Sequence, residues 1–323
     1  MNWWSAASKR TGQDVALVTI CTVRGSAPRE AGAKMLVWAD GQHGTVGGGQ
    51  LEFTLVEQAR KLLASGASWR FQNYPLGPLL GQCCGGNVGI LLERLDTDSC
   101  TWLEDITAME TSGRPYAITT RLNAGGIVRT IAAADGADGV TMRYPEAQVT
   151  GALAEGAVIT EQVSPSPHLL LFGAGHVGQA LAPVAATLPF HLSWFDNRPE
   201  FAKNGVTLVD DPVAAVRAAP PGSYFLVFTQ SHALDYDLTR AVLARGDFAY
   251  CGLIGSATKR ARFEKRLAAE GLATARLICP VGAIGLTAKL PQVLAVAIAA
   301  ELLLVQEAAT KSGTRPLKVA HAT

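Results

Sequence analysis

The fold of the second half of the chain is decided by the stretch Leu169-Leu-Leu-Phe-Gly173-Ala-Gly175-His-Val-Gly178. Its first four residues are an apolar run typical of a buried strand, and the residues that follow have helical spacing. The glycines match the pattern G-x-G-x-x-G. The first two allow a tight turn and close approach to a phosphate, and the third lets the helix pack on the strand. The stretch predicts a strand–turn–helix unit whose helix, predicted over Val177–Leu188, binds an anion at its N-terminus beside His176.

Strands and helices continue to alternate after this stretch. Apolar strands are predicted at His168–Phe172, His191–Phe195, Val206–Val209, Tyr224–Phe228 and Phe248–Ile254. Strands that are apolar throughout and alternate with helices indicate a parallel sheet covered on both faces. We therefore expect an α/β protein whose C-terminal domain is Rossmann-like and doubly wound.

Polar residues follow the predicted strands at the edge where open α/β sheets bind ligands. Asp196 ends the second strand, 23 residues after Gly173, and would accept hydrogen bonds from a ribose diol, while Arg198 would bind an additional phosphate. Further candidates after the fourth and fifth strands are Ser231, His232, Gly255 and Ser256. These residues predict a crevice for a nucleotide or NAD(P), although an empty Rossmann-like crevice is also compatible with the sequence.

Some of these candidates have simpler alternatives. His232 is expected either to bond a ligand or to cap a helix that starts at Tyr236, and Lys259 with Arg260 fits a solvated helix face. A catalytic triad around Ser231 is disfavoured because no G-x-S-x-G motif surrounds this serine. The sequence also lacks an evident acid/base set for hydride transfer.

The first half mixes strands and helices. Predicted elements are a strand over Ala16–Val23, a hairpin whose turn needs positive φ at Asp40-Gly41, a helix over Leu51–Leu63 and a strand over Asn87–Leu95. The polar, proline-containing stretch Ser164–Pro167 is the preferred break between domains. We assign residues 1–162 to an N-terminal mixed α/β domain and residues 163–323 to the Rossmann-like domain.

The first half also contains an unusual thiol motif, Gly81-Gln-Cys83-Cys84-Gly-Gly86. Two adjacent cysteines among glycines predict an exposed loop, in which a thiolate attacks sulfur or binds a soft metal. Packing of both cysteines as small apolar residues is the alternative. Two further loops have anion-binding character, and their candidate residues are Arg24, Ser26, Arg29, Gly47, Gly48 and Gly49.

Composition excludes several classes of protein. The formal net charge is +1, so nothing favours binding to the phosphate backbone of a nucleic acid. The longest apolar run near the C-terminus is interrupted by Glu301, and the N-terminus lacks the pattern of a secretory signal. The six cysteines include no CxxC pair. We expect a cytoplasmic protein with reduced thiols and no membrane segment.

Taken together, these motifs resemble the xanthine dehydrogenase accessory protein family of the XdhC/CoxI type. The motifs of the first half that carry the resemblance are Arg24-Gly-Ser-Ala-Pro28, Gly32-Ala-Lys-Met35, Gly44-Thr-Val-Gly-Gly-Gly49 with Leu51-Glu52, and Gly81–Gly86. Those of the second half are Gly173–Gly178, Phe195-Asp-Asn-Arg198, Thr229-Gln-Ser-His232, Gly252-Leu-Ile-Gly-Ser256 and Cys279-Pro-Val-Gly282. Some relatives have a cysteine where this chain has Gln50, which favours the xanthine dehydrogenase branch of the family.

The resemblance implies a maturation factor rather than an enzyme. Such a protein binds and protects the molybdenum cofactor, supports its sulfuration with a cysteine desulfurase, and delivers it to apo-xanthine dehydrogenase. Cys83 or Cys84 would then contact molybdenum or the transferred sulfur, and the glycine and arginine loops would hold the pterin phosphate. Two alternatives stay open, an NAD(P)-dependent oxidoreductase and an interaction protein with a vestigial nucleotide site. The oligomeric state is open too, a homodimer being the commonest assembly.

Overall fold

The chain folds as two units, Met1–Pro165 and Ser166–Thr323, whose boundary falls within the Ser164–Pro167 segment. The computed structural model describes residues 3–77, 85–96, 100–135, 138–143, 155–202, 205–283, 285–286 and 289–312. Antiparallel sheets form the N-terminal unit and a parallel sheet forms the C-terminal unit. The predicted α/β class, with a Rossmann-like second half, is confirmed.

The N-terminal unit is built around the strand Val15–Arg24, which pairs antiparallel with two neighbours. In chain order the elements are α1 (Trp3–Ser8), β1 (Val15–Arg24), β2 (Lys34–Trp38), β3 (Gly41–Gly44), α2 (Gly49–Ser65), β4 (Trp69–Pro75), β5 (Asn87–Leu95), α3 (Trp102–Ser112), β6 (Tyr116–Asn123), β7 (Gly126–Ala133), β8 (Gly139–Arg143) and β9 (Val158–Val163). Within the described ranges, the strands form two sheets, ordered β3-β2-β1-β5-β4 and β7-β6-β9-β8.

Alternation along β1 explains how this unit is layered, because successive side chains of a strand point to opposite faces. Ala16, Val18 and Ile20 pack against the apolar stripe of α2. Cys21 packs on the other face, with side chains from the second sheet. The sheet is therefore covered on both sides, which agrees with the apolar run that predicted this strand.

Two buried ion pairs connect the two antiparallel sheets. Glu93 on β5 accepts two hydrogen bonds from the Arg129 guanidinium on β7, at 2.8 and 2.7 Å. Lys34 on β2 forms a very short contact with Glu161 on β9. All four side chains are at least nine-tenths buried. Removing one member of either pair would leave an uncompensated charge in the interior.

The hairpin between β2 and β3 corrects one prediction. Trp38 pairs with Gly41, so the turn consists of Ala39 and Asp40, and Gly41 lies in the strand without positive φ. A Cβ at Gly41 would lie 2.7 Å from the indole ring of Trp38. Glycine is present there to make room for the tryptophan, so the predicted need for positive φ at Gly41 was wrong.

The C-terminal unit is a parallel sheet flanked by helices. Its elements are β10 (His168–Phe172), α4 (His176–Ala185), β11 (His191–Asp196), β12 (Val206–Leu208), α5 (Pro212–Ala218), β13 (Tyr224–Val227), α6 (His232–Arg245), β14 (Tyr250–Leu253), α7 (Ala257–Ala269), β15 (Leu277–Ile278) and α8 (Pro291–Ser312). Among the described residues the strand order is β12-β11-β10-β13-β14-β15. This is the order of dinucleotide-binding Rossmann folds, which reverses between β10 and β13.

Helices cover both faces of this sheet. Leu169 and Leu171 of β10 face one core, to which α4 and α8 contribute. Leu170 and Phe172 face the opposite core, which contains side chains of α5, α6 and α7. The two cores explain why the strands are apolar at every position, as the sequence indicated.

Helix α8 contains a stretch, Pro291–Ala309, that is long and apolar enough to cross a membrane by length and composition alone. In the structure, Ile298 and Leu302 of this helix pack in the core of the unit. Glu301 is fully buried there and accepts hydrogen bonds from the Tyr250 hydroxyl at 2.8 Å and the Gly282 amide at 2.7 Å. The carboxylate that interrupts the apolar run thus bonds groups of the unit's own core.

We expect Glu301→Ala to lower the free energy of unfolding by about 3 kcal/mol, because it leaves the buried Tyr250 hydroxyl and the Gly282 amide without this acceptor. Urea denaturation followed by circular dichroism measures the change. Gln292→Ala, at an exposed position of the same helix, is the control and should cost under about 0.5 kcal/mol. Equal losses in the two variants would contradict the role of Glu301.

For the sheet contact, Glu93→Leu should destabilise by about 3–5 kcal/mol because Arg129 stays buried without its carboxylate. The double variant Glu93→Leu/Arg129→Met removes both charges and should recover most of this loss. Thermal and urea unfolding of the two variants provide the comparison. A double variant no more stable than the single one would show that the unpaired charge is not the cause.

Candidate functional site

The glycine fingerprint of the C-terminal unit lies where the strand order reverses. Gly173 directly follows β10 with φ of +116°, and a Cβ there would lie 2.2 Å from the Phe228 carbonyl oxygen. Gly178 is equally confined, since its Cβ would lie 2.2 Å from the Gly173 carbonyl oxygen. The packing of strand, turn and helix therefore requires both of these glycines.

Gly175 differs, because the packing of the protein does not require glycine at this position. Its φ of −70° and ψ of −174° are ordinary extended backbone, and a Cβ there would meet no atom within 4 Å. It is the N-cap of α4, a position where serine or aspartate stabilises a helix better than glycine. The exposed His176 begins the helix. Glycine at 175 thus keeps space open in front of a helix N-terminus, a position that suits an anion.

The Asp196 carboxylate lies beside this loop and accepts four hydrogen bonds. Its Oδ2 accepts from the Ala174 amide at 2.6 Å and from Arg198 Nη2 at 2.8 Å. Its Oδ1 accepts from the Arg198 amide and from Arg198 Nε, both at 2.9 Å. Burial raises the pKa of Asp196, but the hydrogen bonds from Arg198 and Ala174 outweigh burial, and the pKa lies below its usual value.

Arg198 extends the network across the crevice. Its Nη1 donates to Gln230 Oε1 at 3.0 Å, and the guanidinium lies 4.1 Å from the centre of the Phe201 ring. The arginine therefore connects the end of β11 to the loop after β13. The cleft beneath it is lined by Phe172, Gly173, Phe195, Asp196, Asn197, Arg198, Pro212, Thr229, Gln230 and Leu234.

A buried ion pair between Lys259 and Asp235 lies next to the crevice. Lys259 Nζ donates to Asp235 Oδ2 at 2.5 Å and to the Ile254 carbonyl at 2.9 Å. Asp235 Oδ1 accepts from the amide and the hydroxyl of Thr229 at 3.0 and 2.7 Å. The predicted solvated face at Lys259 was wrong. The sequence contained a signal for this pair, because Asp235 and Lys259 follow β13 and β14, and these neighbouring parallel strands end at the same edge of the sheet.

Ser231 and Ser256 are helix N-caps, because each hydroxyl accepts from a backbone amide of the first turn, those of Leu234 and Lys259, at 3.3 Å. His232 is the exposed first residue of α6, so the predicted cap by His232 of a helix from Tyr236 was wrong. A ligand contact by His232 stays a prediction.

Gly255 is packed rather than open. A Cβ there would lie 2.7 Å from Cδ of Lys259 and 3.2 Å from the sulfur of Cys279. With Ser231, His232 and Ser256, it lies at the carboxyl end of the sheet but outside the residues that line the cleft. The cleft therefore brings together the predicted residues Gly173, Asp196 and Arg198.

In the N-terminal unit, backbone loops meet at one end of the β1–β5 pair. A Cβ at Gly86 would lie 2.2 Å from the Ser26 carbonyl oxygen, and one at Gly25 would lie 3.2 Å from the Gly86 Cα. A Cβ at Gly47 would lie 2.5 Å from a ring carbon of Pro28. The structure thus places the three predicted loops of this unit, those around Ser26, Gly47 and Gly86, side by side.

Cys83 and Cys84, the predicted thiol site, lie outside the described residues. They belong to the connection between β4 and β5, whose two ends are described. The Leu76 amide donates to the Gly86 carbonyl at 2.8 Å, just beyond the pairing of Pro75 with Asn87. The connection that carries both cysteines therefore starts and ends at the place where the glycine loops meet.

Glu52 occupies part of the predicted anion-binding loop. Its Oε2 accepts from the amides of Val46 and Gly48, both at 3.1 Å, and from the hydroxyl of Thr45 at 2.5 Å. Burial raises the pKa of Glu52, but these bonds outweigh burial and place the pKa below its usual value. The loop that contains Gly47, Gly48 and Gly49 thus holds a carboxylate of the chain itself.

The arginines of the neighbouring loop differ in their surroundings. Arg29 pairs with Glu30 at 2.8 Å in a partly exposed ion pair. Arg24 is exposed and makes no ion pair with any residue that the structure describes. Ser26 is exposed as well. Arg24 is therefore the cation of this loop that is best placed to receive an anion.

The remaining cysteines have little thiolate character. Burial raises the pKa of Cys21 and Cys251 to about 12 and that of Cys279 to about 11, in the last case against the lowering effect of Lys259. Burial also raises the pKa of the half-buried Cys100. In the part of the chain that the structure describes, no group of three or more His, Cys, Asp or Glu residues could hold a metal ion.

These observations predict that substitutions at two glycines of the fingerprint differ in their effect on stability. Gly173→Ala should destabilise the protein by at least about 2 kcal/mol, because its Cβ would overlap the Phe228 backbone at a positive φ. Gly175→Ser should leave stability within about 1 kcal/mol, because the space is open and serine caps helices well. Thermal unfolding of both variants measures the difference. A large loss in Gly175→Ser would contradict the open space.

Comparison with known proteins places these features in a family. Residues 8–74 match the family model described as "XdhC and CoxI family". Residues 169–302 match the model described as "XdhC Rossmann domain". The two matches cover the glycine and arginine loops of the first unit and the fingerprint of the second.

Individual relatives agree with these matches. The chain is 29% identical over 95% of its length to the uncharacterized protein YqeB of Escherichia coli, of which it spans 46%. It is 24% identical over 90% of its length to a Bacillus subtilis protein named as a probable xanthine dehydrogenase component, of which it spans 93%.

A solved structure from Bacillus halodurans, titled a xanthine dehydrogenase, has the same fold. The TM-score is 0.74 at 22% identity, over 99% of this chain and 98% of that one. The two family models match one unit each and together span more than half of the chain. The chain therefore belongs to the XdhC and CoxI family.

Proposed function

We propose that this protein is a maturation factor that holds the molybdenum cofactor for a xanthine dehydrogenase. Membership of the XdhC and CoxI family supports an accessory role. The observation that carries the proposal is the meeting of the loops around Ser26, Gly47 and Gly86 at the connection that contains Cys83 and Cys84.

The donor set at this place fits the cofactor. Thiolates are soft ligands that suit a transition metal, and exposed arginines bind phosphate. Cys83 and Cys84 would supply the thiolate, and Arg24, which has no acid partner among the described residues, would hold the pterin phosphate. The cofactor, when bound, supplies the molybdenum whose oxo ligand is exchanged for a sulfido ligand.

Sulfuration and delivery complete the proposal. A cysteine desulfurase would supply the sulfur, and apo-xanthine dehydrogenase would receive the loaded cofactor. Glu52 keeps the amides of Val46 and Gly48 occupied, so the cofactor phosphate would depend on Arg24 and Ser26 rather than on those amides. The proposed place of action is the cytoplasm, where thiols stay reduced.

The test is anaerobic purification in the presence of the molybdenum cofactor, followed by molybdenum and pterin analysis. The wild type should carry about one equivalent, and Cys83→Ala/Cys84→Ala should lose it because the thiolates are gone. Cys100→Ala, at a half-buried thiol of the same unit, is the matched control and should bind normally. Cofactor retained in the double variant would remove the thiol site from the proposal.

A second variant tests the phosphate contact. Arg24→Ala should weaken cofactor binding about tenfold, because a charge-assisted hydrogen bond contributes about 1.5 kcal/mol. Arg29→Ala is its comparison and should have a smaller effect, since Arg29 already pairs with Glu30. Titration of the apoprotein with free cofactor gives both dissociation constants. A larger effect at Arg29 would reverse the assignment.

A dinucleotide-dependent oxidoreductase is the second candidate. It is favoured by the strand order of the C-terminal unit and by the open space at Gly175. Titration with NADH and NADPH, with Gly175→Asp as the control, tests it. Aspartate preserves the N-cap and repels a phosphate, so a true dinucleotide site would lose its ligand in this variant without loss of stability.

A further inference from the structure

The side chain of Arg198 lies against Asp196, the acidic position that receives the adenosine ribose in dinucleotide-binding Rossmann folds. In this fold an acidic residue at the end of the second strand receives the ribose hydroxyls of a dinucleotide. Asp196 holds that position, but two of its four hydrogen bonds come from the guanidinium of Arg198. A ribose diol would have to displace this arginine to reach the carboxylate.

Arg198 is held from three sides, which makes its displacement costly. It pairs with Asp196 through Nε and Nη2, at 2.9 and 2.8 Å. It donates through Nη1 to Gln230 Oε1 at 3.0 Å, and its Cζ lies 4.1 Å from the Phe201 ring centre. Only about a fifth of its side chain is exposed. The guanidinium therefore closes the mouth of the cleft between β11 and β13.

The same geometry disfavours a 2′-phosphate. An arginine that recognises this phosphate needs donors turned towards the ligand. Three of the five N–H groups of the Arg198 guanidinium already point at Asp196 and Gln230, which leaves one N–H on each of Nη1 and Nη2. A phosphate placed here would also approach the Asp196 carboxylate, which is ionised at neutral pH, and like charges repel.

We propose that Arg198 is a specificity-determining residue that closes the crevice of the C-terminal unit to adenine dinucleotides, both NAD(H) and NADP(H). The residues that act are Arg198, Asp196 and Gln230. This inference goes beyond the proposed function. It implies that the dinucleotide site of the second candidate function is blocked by Arg198. Its test uses no molybdenum cofactor, so its failure is separate from the failure of the cofactor proposal.

The test is a fluorescence and calorimetric titration with NADH, NADPH and ADP. The wild type should bind each of them weakly. Arg198→Ala should raise the affinity for NADH and ADP at least tenfold, because the ribose diol then reaches Asp196. Gln230→Ala, which leaves the Asp196–Arg198 pair intact, should give a smaller gain in the same direction and covers the case in which Arg198→Ala folds poorly.

Two control variants test whether the gain in affinity arises in the crevice beside Arg198. Arg198→Ala/Gly175→Asp should lose the gained affinity, because the dinucleotide phosphates would meet the added carboxylate. Arg260→Ala should show no gain, since Arg260 pairs with Glu264 on α7. The proposal is overturned if the wild type binds NADH or NADPH tightly, if Arg198→Ala selectively loses NADPH, or if Arg198→Ala and Gln230→Ala both leave the affinities unchanged.

Discussion

The fingerprint turn of the C-terminal unit is held by one carboxylate, that of Asp196. It is the shared acceptor for the turn after β10 and for the end of β11, through the Ala174 amide and the Arg198 backbone and side chain. A buried carboxylate is tolerated only when its oxygens are hydrogen-bonded, and here both are. The same bonds that stabilise the fingerprint turn also determine what the crevice can accept. Stability and ligand selection therefore arise from the same hydrogen bonds.

The two units use glycine loops in different ways. In the C-terminal unit the space beside Gly175 is open to a ligand, whereas close backbone packing leaves no room for a side chain at Gly173 or Gly178. In the N-terminal unit the loop amides of Val46 and Gly48 already bond Glu52. Similar sequence patterns thus give one loop ready for an anion and one that is satisfied internally, because a nearby acid supplied the acceptor.

Buried ion pairs connect separate parts of the chain in both units. Lys34 and Arg129 connect two sheets of the first unit, and Lys259 connects the loops that follow β13 and β14 through Asp235. Such pairs add little net stability, because desolvation offsets much of the Coulomb attraction, but the loss of one partner leaves an unpaired buried charge. In both units they lie where strands or sheets that are distant in sequence must keep a defined relation.

Local sequence determined the elements of this fold. The apolar run and glycines of Leu169–Gly178 predicted the strand, turn and helix, and the spacing of apolar residues located β1, α2 and β5, because these signals repeat within a few residues. The parallel arrangement of the second half followed from strands that are apolar on both faces.

The folded structure alone decided which partners individual side chains have. Gly41 is present because Trp38 needs room, Lys259 is buried because Asp235 of α6 lies beside it, and Glu52 fills its own glycine loop. The sequence indicated Asp196 as a ribose acceptor and Arg198 as a phosphate ligand, each read by itself. In the folded protein the two side chains pair with each other, and Arg198 also reaches Gln230, 32 residues further along the chain, because the parallel strands end at the same edge of the sheet.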